Sequence, residues 1–185
     1  MKIIKIFICL LFICQNLFSQ CDLIRPKDDF ETTSKVITQD QKIISVLALL
    51  NDKAQWDLFL KFAKIDSALR IIFTHECDYK NRGSGVVQSI FFKFKNDSLI
   101  KINNSIFTES VRSAGLLDPP GGTYYTSTAF LISKEYLQKF ATWEIDKVRV
   151  KFASDFDYPE VDAVLKKKYS EKVMKNANCL FLDLK

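Results

Sequence analysis

The sequence predicts an α+β fold: a mostly antiparallel, sandwich-like β-sheet with a short helix near 134–142 and a C-terminal helix near 159–176. Three observations predict it. From Val36 to Ala153 the chain is a series of short runs in which apolar and polar residues alternate, separated by Asn, Asp, Gly and Pro. Helical spacing of apolar residues appears only near the C-terminus. The length of 185 residues, with 48% hydrophobic and 26% charged, suits one globular domain and excludes collagen-like, low-complexity and polytopic membrane classes.

Residues 1–19 read as a secretory signal peptide. Lys2 and Lys5 supply the positive start, and Ile6 to Cys14 is a nine-residue apolar run. A membrane-spanning helix needs about 20 apolar residues, so this run is too short to be one. Small Ser19 sets the expected cut before Gln20. Lipidation of Cys21 is the weaker alternative, because a lipobox wants a small residue where Gln20 stands. Export to the periplasm or the exterior follows, with no transmembrane segment left after cleavage. Removing residues 1–19 leaves 166 residues and lowers the net charge from +5 to +3. So small an excess is no nucleic-acid footprint.

Residues 20–35 form a polar lead-in, and one α+β domain occupies 36–185. Lys42 to Leu50 is an apolar run of strand length, closed by an Asn51-Asp52 turn. Trp56 to Ile65 alternates as a strand does, although its Ala, Lys and Leu content leaves a helix as the alternative. Leu69 to Cys77 is rich in β-branched and aromatic residues. Val86 to Lys95 is the strongest strand, and Asn96-Asp97 turns it back into Ser98 to Asn103. Asn104 to Gly122 reads as irregular, ending in Pro119-Pro120-Gly121-Gly122. Thr123 to Ser133 is a further strand, and Ser133 caps a helix over Lys134 to Thr142. Lys147 to Ala153 alternates with Val148, Val150 and Phe152 inward and Lys147, Arg149 and Lys151 outward. Pro159 opens the last helix, with Val161, Val164, Leu165, Tyr169 and Val173 as its stripe. Asn176 to Asn178 ends it, and Cys179 to Leu184 reads as a short strand.

Three cysteines survive cleavage, which allows one bridge and leaves one thiol over. Cys77 and Cys179 both follow regular elements, so they are the expected pair. Cys21, on a new terminus, is the alternative partner for either. The single histidine, His75, shares a strand face with Cys77, but no paired-ligand spacing supports a metal site there. A strand end with a bridged Cys77 and a half-exposed His75 is the plainer expectation. Asp155, Asp157, Glu160 and Asp162 fail the EF-hand pattern, because Glu160 stands where the loop needs Gly. Those acids at the start of the last helix, with Lys166, Lys167, Lys168, Lys172 and Lys175 after them, read as complements to its dipole. No nucleotide-binding, nucleophile-elbow or metalloprotease motif is present, and no cofactor is expected.

Tyr124 and Tyr125, beside Pro120 in the Pro-Pro-Gly-Gly loop, are the candidate binding surface, since tyrosine supplies rigid amphipathic contact. Ser67 and Ser98 stand in Asp-Ser-apolar triplets at predicted turns and are candidate O-glycosylation sites. The chain resembles small exported proteins of Bacteroidota. The likeness lies in Cys21-Asp22 with Asp28-Asp29-Phe30, in Cys77 ahead of Phe92-Lys93-Phe94, and in Thr128 to Ser133 leading into Tyr136-Leu137. Ile145 to Val150 and the late Cys179 complete it, while Asn96-Asp97 departs from the Asp-Gly expected at that turn. The resemblance implies location and fold and assigns no catalytic residue. The expected function is non-enzymatic binding of a protein or glycan partner. A small envelope hydrolase, a lipid-anchored surface protein and a periplasmic inhibitor are the alternatives.

Overall fold

The computed structural model describes residues 21–26, 33–46, 56–78, 86–113, 123–153 and 159–184. It is mostly antiparallel β-sheet with two helices, the second of them C-terminal, and so α+β. The strands are β1 (Lys35–Ile37), β2 (Gln41–Val46), β3 (Trp56–Ile65), β4 (Ala68–Asp78), β5 (Val87–Phe94), β6 (Leu99–Asn103), β7 (Ser105–Ser113), β8 (Thr123–Leu131), β9 (Ile145–Phe152) and β10 (Glu160–Val164). The helices are α1 (Lys134–Thr142), between β8 and β9, and α2 (Lys167–Leu182), after β10.

The larger sheet runs β1-β3-β4-β8-β7, with β2 also paired to β3, and the smaller runs β10-β9-β5-β6. β3 is a strand, as its alternation predicts: Trp56, Leu58, Leu60 and Phe62 are buried and the residues between them are not. Its length lets β1 pair at one end and β2 at the other. Thr38 fills the join, where its Oγ1 accepts from the Phe62 N–H at 2.9 Å and its own N–H donates to the Phe62 carbonyl at 2.9 Å.

Short polar residues make the turns. Asp66 (φ 54°) joins β3 to β4, and Asp97 (φ 62°) joins β5 to β6. Asp and Asn tolerate the left-handed region better than other residues with a Cβ. Asn104 (φ 63°) does more: it is the single residue between β6 of the smaller sheet and β7 of the larger. The segment expected to be irregular from Asn104 onward is therefore strand through Ser113, while 114–122 lies outside the described residues. β7 escapes a pattern reading because residues 105–111 are exposed on both faces, so no apolar alternation marks them.

Aromatic side chains make contacts between the two sheets. Phe73 of β4 stacks on Phe92 of β5 at 6.2 Å, and Trp56 of β3 meets Phe152 of β9 edge-on at 5.5 Å. Phe140 of α1 plugs one end, with ring centroids 4.9 Å from Phe92, 5.3 Å from Phe62 and 5.6 Å from Phe94. α1 starts as predicted, with the Tyr136 N–H donating to Ser133 Oγ at 3.1 Å. α2 packs on α1 and reaches β2, β3 and β9. Its Ser170 Oγ accepts the buried Ile145 N–H at 2.6 Å.

The C-terminus corrects the expected order. The helix predicted over 159–176 is strand β10 followed by α2, and the strand predicted over Cys179 to Leu184 is mostly the end of that helix. Glu160 to Val164 alternates exposed and half-buried residues, and Val164, expected inside, is 71% exposed. α2 buries Ser170, Val173, Ala177 and Leu180, so packing carries it through Asn176 and Asn178, which expectation made its end. Its first turn holds Lys167 and Lys168 and no acid, the reverse of the expected dipole complement. Packing and the preceding strand, not end charges, place this helix.

The disulfide also differs from expectation. Cys179 is bonded to Cys21, not to Cys77, with Cα atoms 5.4 Å apart. Cys77 is buried in β4 and stands outside the bridge. Residues 21–26 of the lead-in are held in place: Ile24 bridges to Ile37, and Arg25 pairs with Asp183 just past α2. These contacts bring Cys21 to the helix. No helix among the described residues is long and apolar enough to cross a membrane.

Candidate functional site

The sequence-derived candidates do not converge on one place. Tyr124 and Tyr125 alternate across β8 and so point to opposite faces. Tyr124 packs against the core, whereas the Tyr125 hydroxyl donates to Glu76 Oε1 at 3.5 Å on the outer face. Pro120 lies outside the described residues, as do Asp155 and Asp157. Ser67 is exposed at the β3–β4 turn. Ser98 sits at the β5–β6 turn, where its Oγ donates to Asn96 Oδ1 at 2.6 Å.

His75 is fully buried rather than half-exposed. Its ring lies 5.2 Å from both Trp56 and Phe152, at the junction of the two sheets. Burial disfavours the imidazolium and pushes its pKa down to about 4, with the Asp57 charge acting in the opposite direction. At neutral pH it is an uncharged core residue. No group of metal-ligating side chains occurs among the described residues.

A different surface gathers more chemistry. The outward residues of β10, β9, β5 and β6 form cross-strand rows on the smaller sheet. In one row Val164 opposes Lys147, Lys147 opposes Lys93, and Lys93 opposes Leu99. In the next, Asp162 opposes Arg149, Arg149 opposes Phe91, and Phe91 opposes Lys101. A shallow cleft of about 440 Å³ lies over these rows, with Leu99, Phe91 and Val164 as apolar walls among Lys93, Lys147 and Arg149. Leu99 at 68% and Val164 at 71% exposure are the most exposed large apolar side chains among the described residues.

The charges there are unevenly satisfied. Arg149 donates two 2.6 Å bonds to the Asp162 carboxylate and lies 3.2 Å from Glu160. Glu160 also takes Lys151 at 2.9 Å. Those bonds hold the Asp162 carboxyl below its ordinary range, and the Lys93 ammonium does the same to Asp97 at 2.8 Å. Lys101 lies 5.4 Å from the Phe91 ring centroid. Lys147 has no ion-pair or hydrogen-bond partner among the described residues. The alternation of Lys147, Arg149 and Lys151 marks their strand face in the sequence. That β9 lies beside β5, so that Lys147 meets Lys93, is a matter of topology.

The chain matches no protein-family model, and no curated protein or solved structure matches it either.

Proposed function

We propose that this chain is an exported, non-enzymatic binding domain and that the outer face of the smaller sheet is its ligand surface. One observation carries the reading: an exposed cleft of about 440 Å³ that combines apolar walls with cations. Soluble proteins seldom leave apolar patches open without use, and small-ligand sites occupy a few hundred cubic ångströms. Export rests on the signal-like residues 1–19 and is supported by the Cys21–Cys179 disulfide, which oxidising compartments allow. The resemblance to exported Bacteroidota proteins points the same way. We read the two sheets, joined through Phe73, Phe92, Trp56 and Phe152, as a sandwich-like scaffold that holds the cleft rigid.

A hydrolase at this site has less support. A general acid needs a raised pKa, and the Asp162 carboxyl is held low by Arg149. A glycan has less support than an amphiphilic ligand, because Phe91 is the one aromatic wall of the cleft among the described residues.

Native and denaturing mass spectrometry of the protein from its own exported fraction tests this. The expected result is a chain starting at Gln20 that carries a non-covalent adduct. The Lys147→Glu/Leu99→Asp variant, changed only at exposed positions, should lose that adduct. An adduct kept by the folded variant, or identical masses under both conditions, would refute the surface.

A further inference from the structure

Building on that reading, we infer that the cleft takes a small amphiphilic anion, a carboxylate head on an apolar body, with the head between Lys147 and Lys93. The two lysines are directly opposed on neighbouring antiparallel strands, on the same solvent-facing side. Like charges in that relation repel, and fold stability gives no reason to keep them there. Asp97 offsets Lys93 through a 2.8 Å ion pair. Lys147 receives no such bond among the described residues, and Asp162, whose carboxyl it helps to hold low from a distance, gives its hydrogen bonds to the Arg149 guanidinium. One added negative charge between the ammonium groups removes the repulsion and neutralises Lys147.

The available donors set the head chemistry. The Arg149 fork, which would suit planar bidentate recognition, is occupied by Asp162. What remains are ammonium point charges, which take a compact carboxylate without demanding its orientation. The walls set the body. Leu99 follows Lys93 along its row, Phe91 lies in the next row, and Val164 follows Lys147 on the other side. At about 4.8 Å per strand, the row from Val164 to Leu99 spans roughly 14 Å. An alkyl or aromatic body laid from the lysines toward Leu99 covers apolar surface that is now wet. Head and body therefore bind side by side, and neither alone uses the whole cleft.

Decanoate is the probe, with acetate supplying the head alone and decanol the body alone. Titrations followed by backbone amide shifts should show decanoate saturating residues of β5, β6, β9 and β10. Acetate and decanol should each bind at least about tenfold more weakly. Lys147→Ala should weaken decanoate about tenfold and leave decanol unchanged, since it removes the head contact only. Leu99→Ser should weaken decanoate and decanol together. Added salt should weaken decanoate and not decanol. The inference is overturned if decanoate binds no tighter than decanol or acetate, or if Lys147→Ala leaves decanoate unchanged. If decanoate fails while the exported protein still carries an adduct that Lys147→Glu/Leu99→Asp removes, the ligand class is wrong and the surface stands. If both fail, the surface falls too.

Discussion

His75 makes the stability of this fold depend on pH in a way one substitution can isolate. Its ring is fully buried between Trp56 and Phe152, and burial lowers its pKa from 6.5 to about 4. The folded-state value lies below the unfolded one. The contribution is therefore fully present above pH 6.5 and is lost as pH falls toward 4, where the unfolded chain takes up a proton the folded chain refuses. The slope reaches about 1.4 kcal/mol per pH unit, and the loss between pH 7 and pH 4 comes to about 3 kcal/mol. That is a large share of the roughly 5–15 kcal/mol that holds a domain together. Urea unfolding of the wild type and His75→Phe at pH 7, 6, 5 and 4 measures it. Carboxylates such as Asp97 and Asp162 titrate in both proteins, so the difference between the two curves belongs to the imidazole. The variant pays its packing change at every pH alike, and its advantage should grow by about 3 kcal/mol on acidification. Parallel curves would mean that His75 is protonated with little cost, and the argument from burial would be wrong.

Three further outcomes follow from the contacts. The Cys21–Cys179 bridge, with a sequence separation of 158, limits the unfolded chain by up to about 5 kcal/mol in the chain-entropy model. Cys21→Ser should lower the urea midpoint markedly, and an unchanged midpoint would mean that Arg25 and Ile24 hold the lead-in without it. Ser170→Ala leaves the buried Ile145 N–H without its acceptor and should cost about 1–3 kcal/mol by the same measurement; a neutral effect would show that another acceptor replaces it. Phe140→Ala removes the ring shared by Phe62, Phe92 and Phe94 and should cost about 3–5 kcal/mol. A loss below about 1 kcal/mol would mean that the sheets close over the gap.

Where apolar alternation is strong, local pattern and structure agree. β3, β4, β5, β8 and β9 lie where Trp56, Phe73, Phe92, Phe130 and Val150 place them, and α1 starts at its Ser133 cap. Disagreement falls where the deciding forces are not local. β7 carries no buried stripe to betray it, because β8 is its only strand neighbour among the described residues and residues 105–111 are exposed. β10 and the apparent helix start at Pro159 share a segment whose apolar residues fit either period, and pairing with β9 settles it. Cys77 looked bridgeable beside a strand end, but β4 turns it into the core while the lead-in carries Cys21 to α2. The cleft was legible only in halves. Each strand displays its own outward cations, and the opposition of Lys93 to Lys147 arises when β5 and β9 become neighbours.

The bond between Cys21 and Cys179 closes nearly the whole folded chain into a covalent ring. A protease that cuts one loop inside that ring frees no fragment. The nicked protein keeps its full mass on a non-reducing gel, and both new ends stay beside the elements they came from. Two cuts are needed before any piece can leave. Damage can therefore accumulate silently, one cut per molecule, until a reductant turns every nicked ring into two separate polypeptides at once.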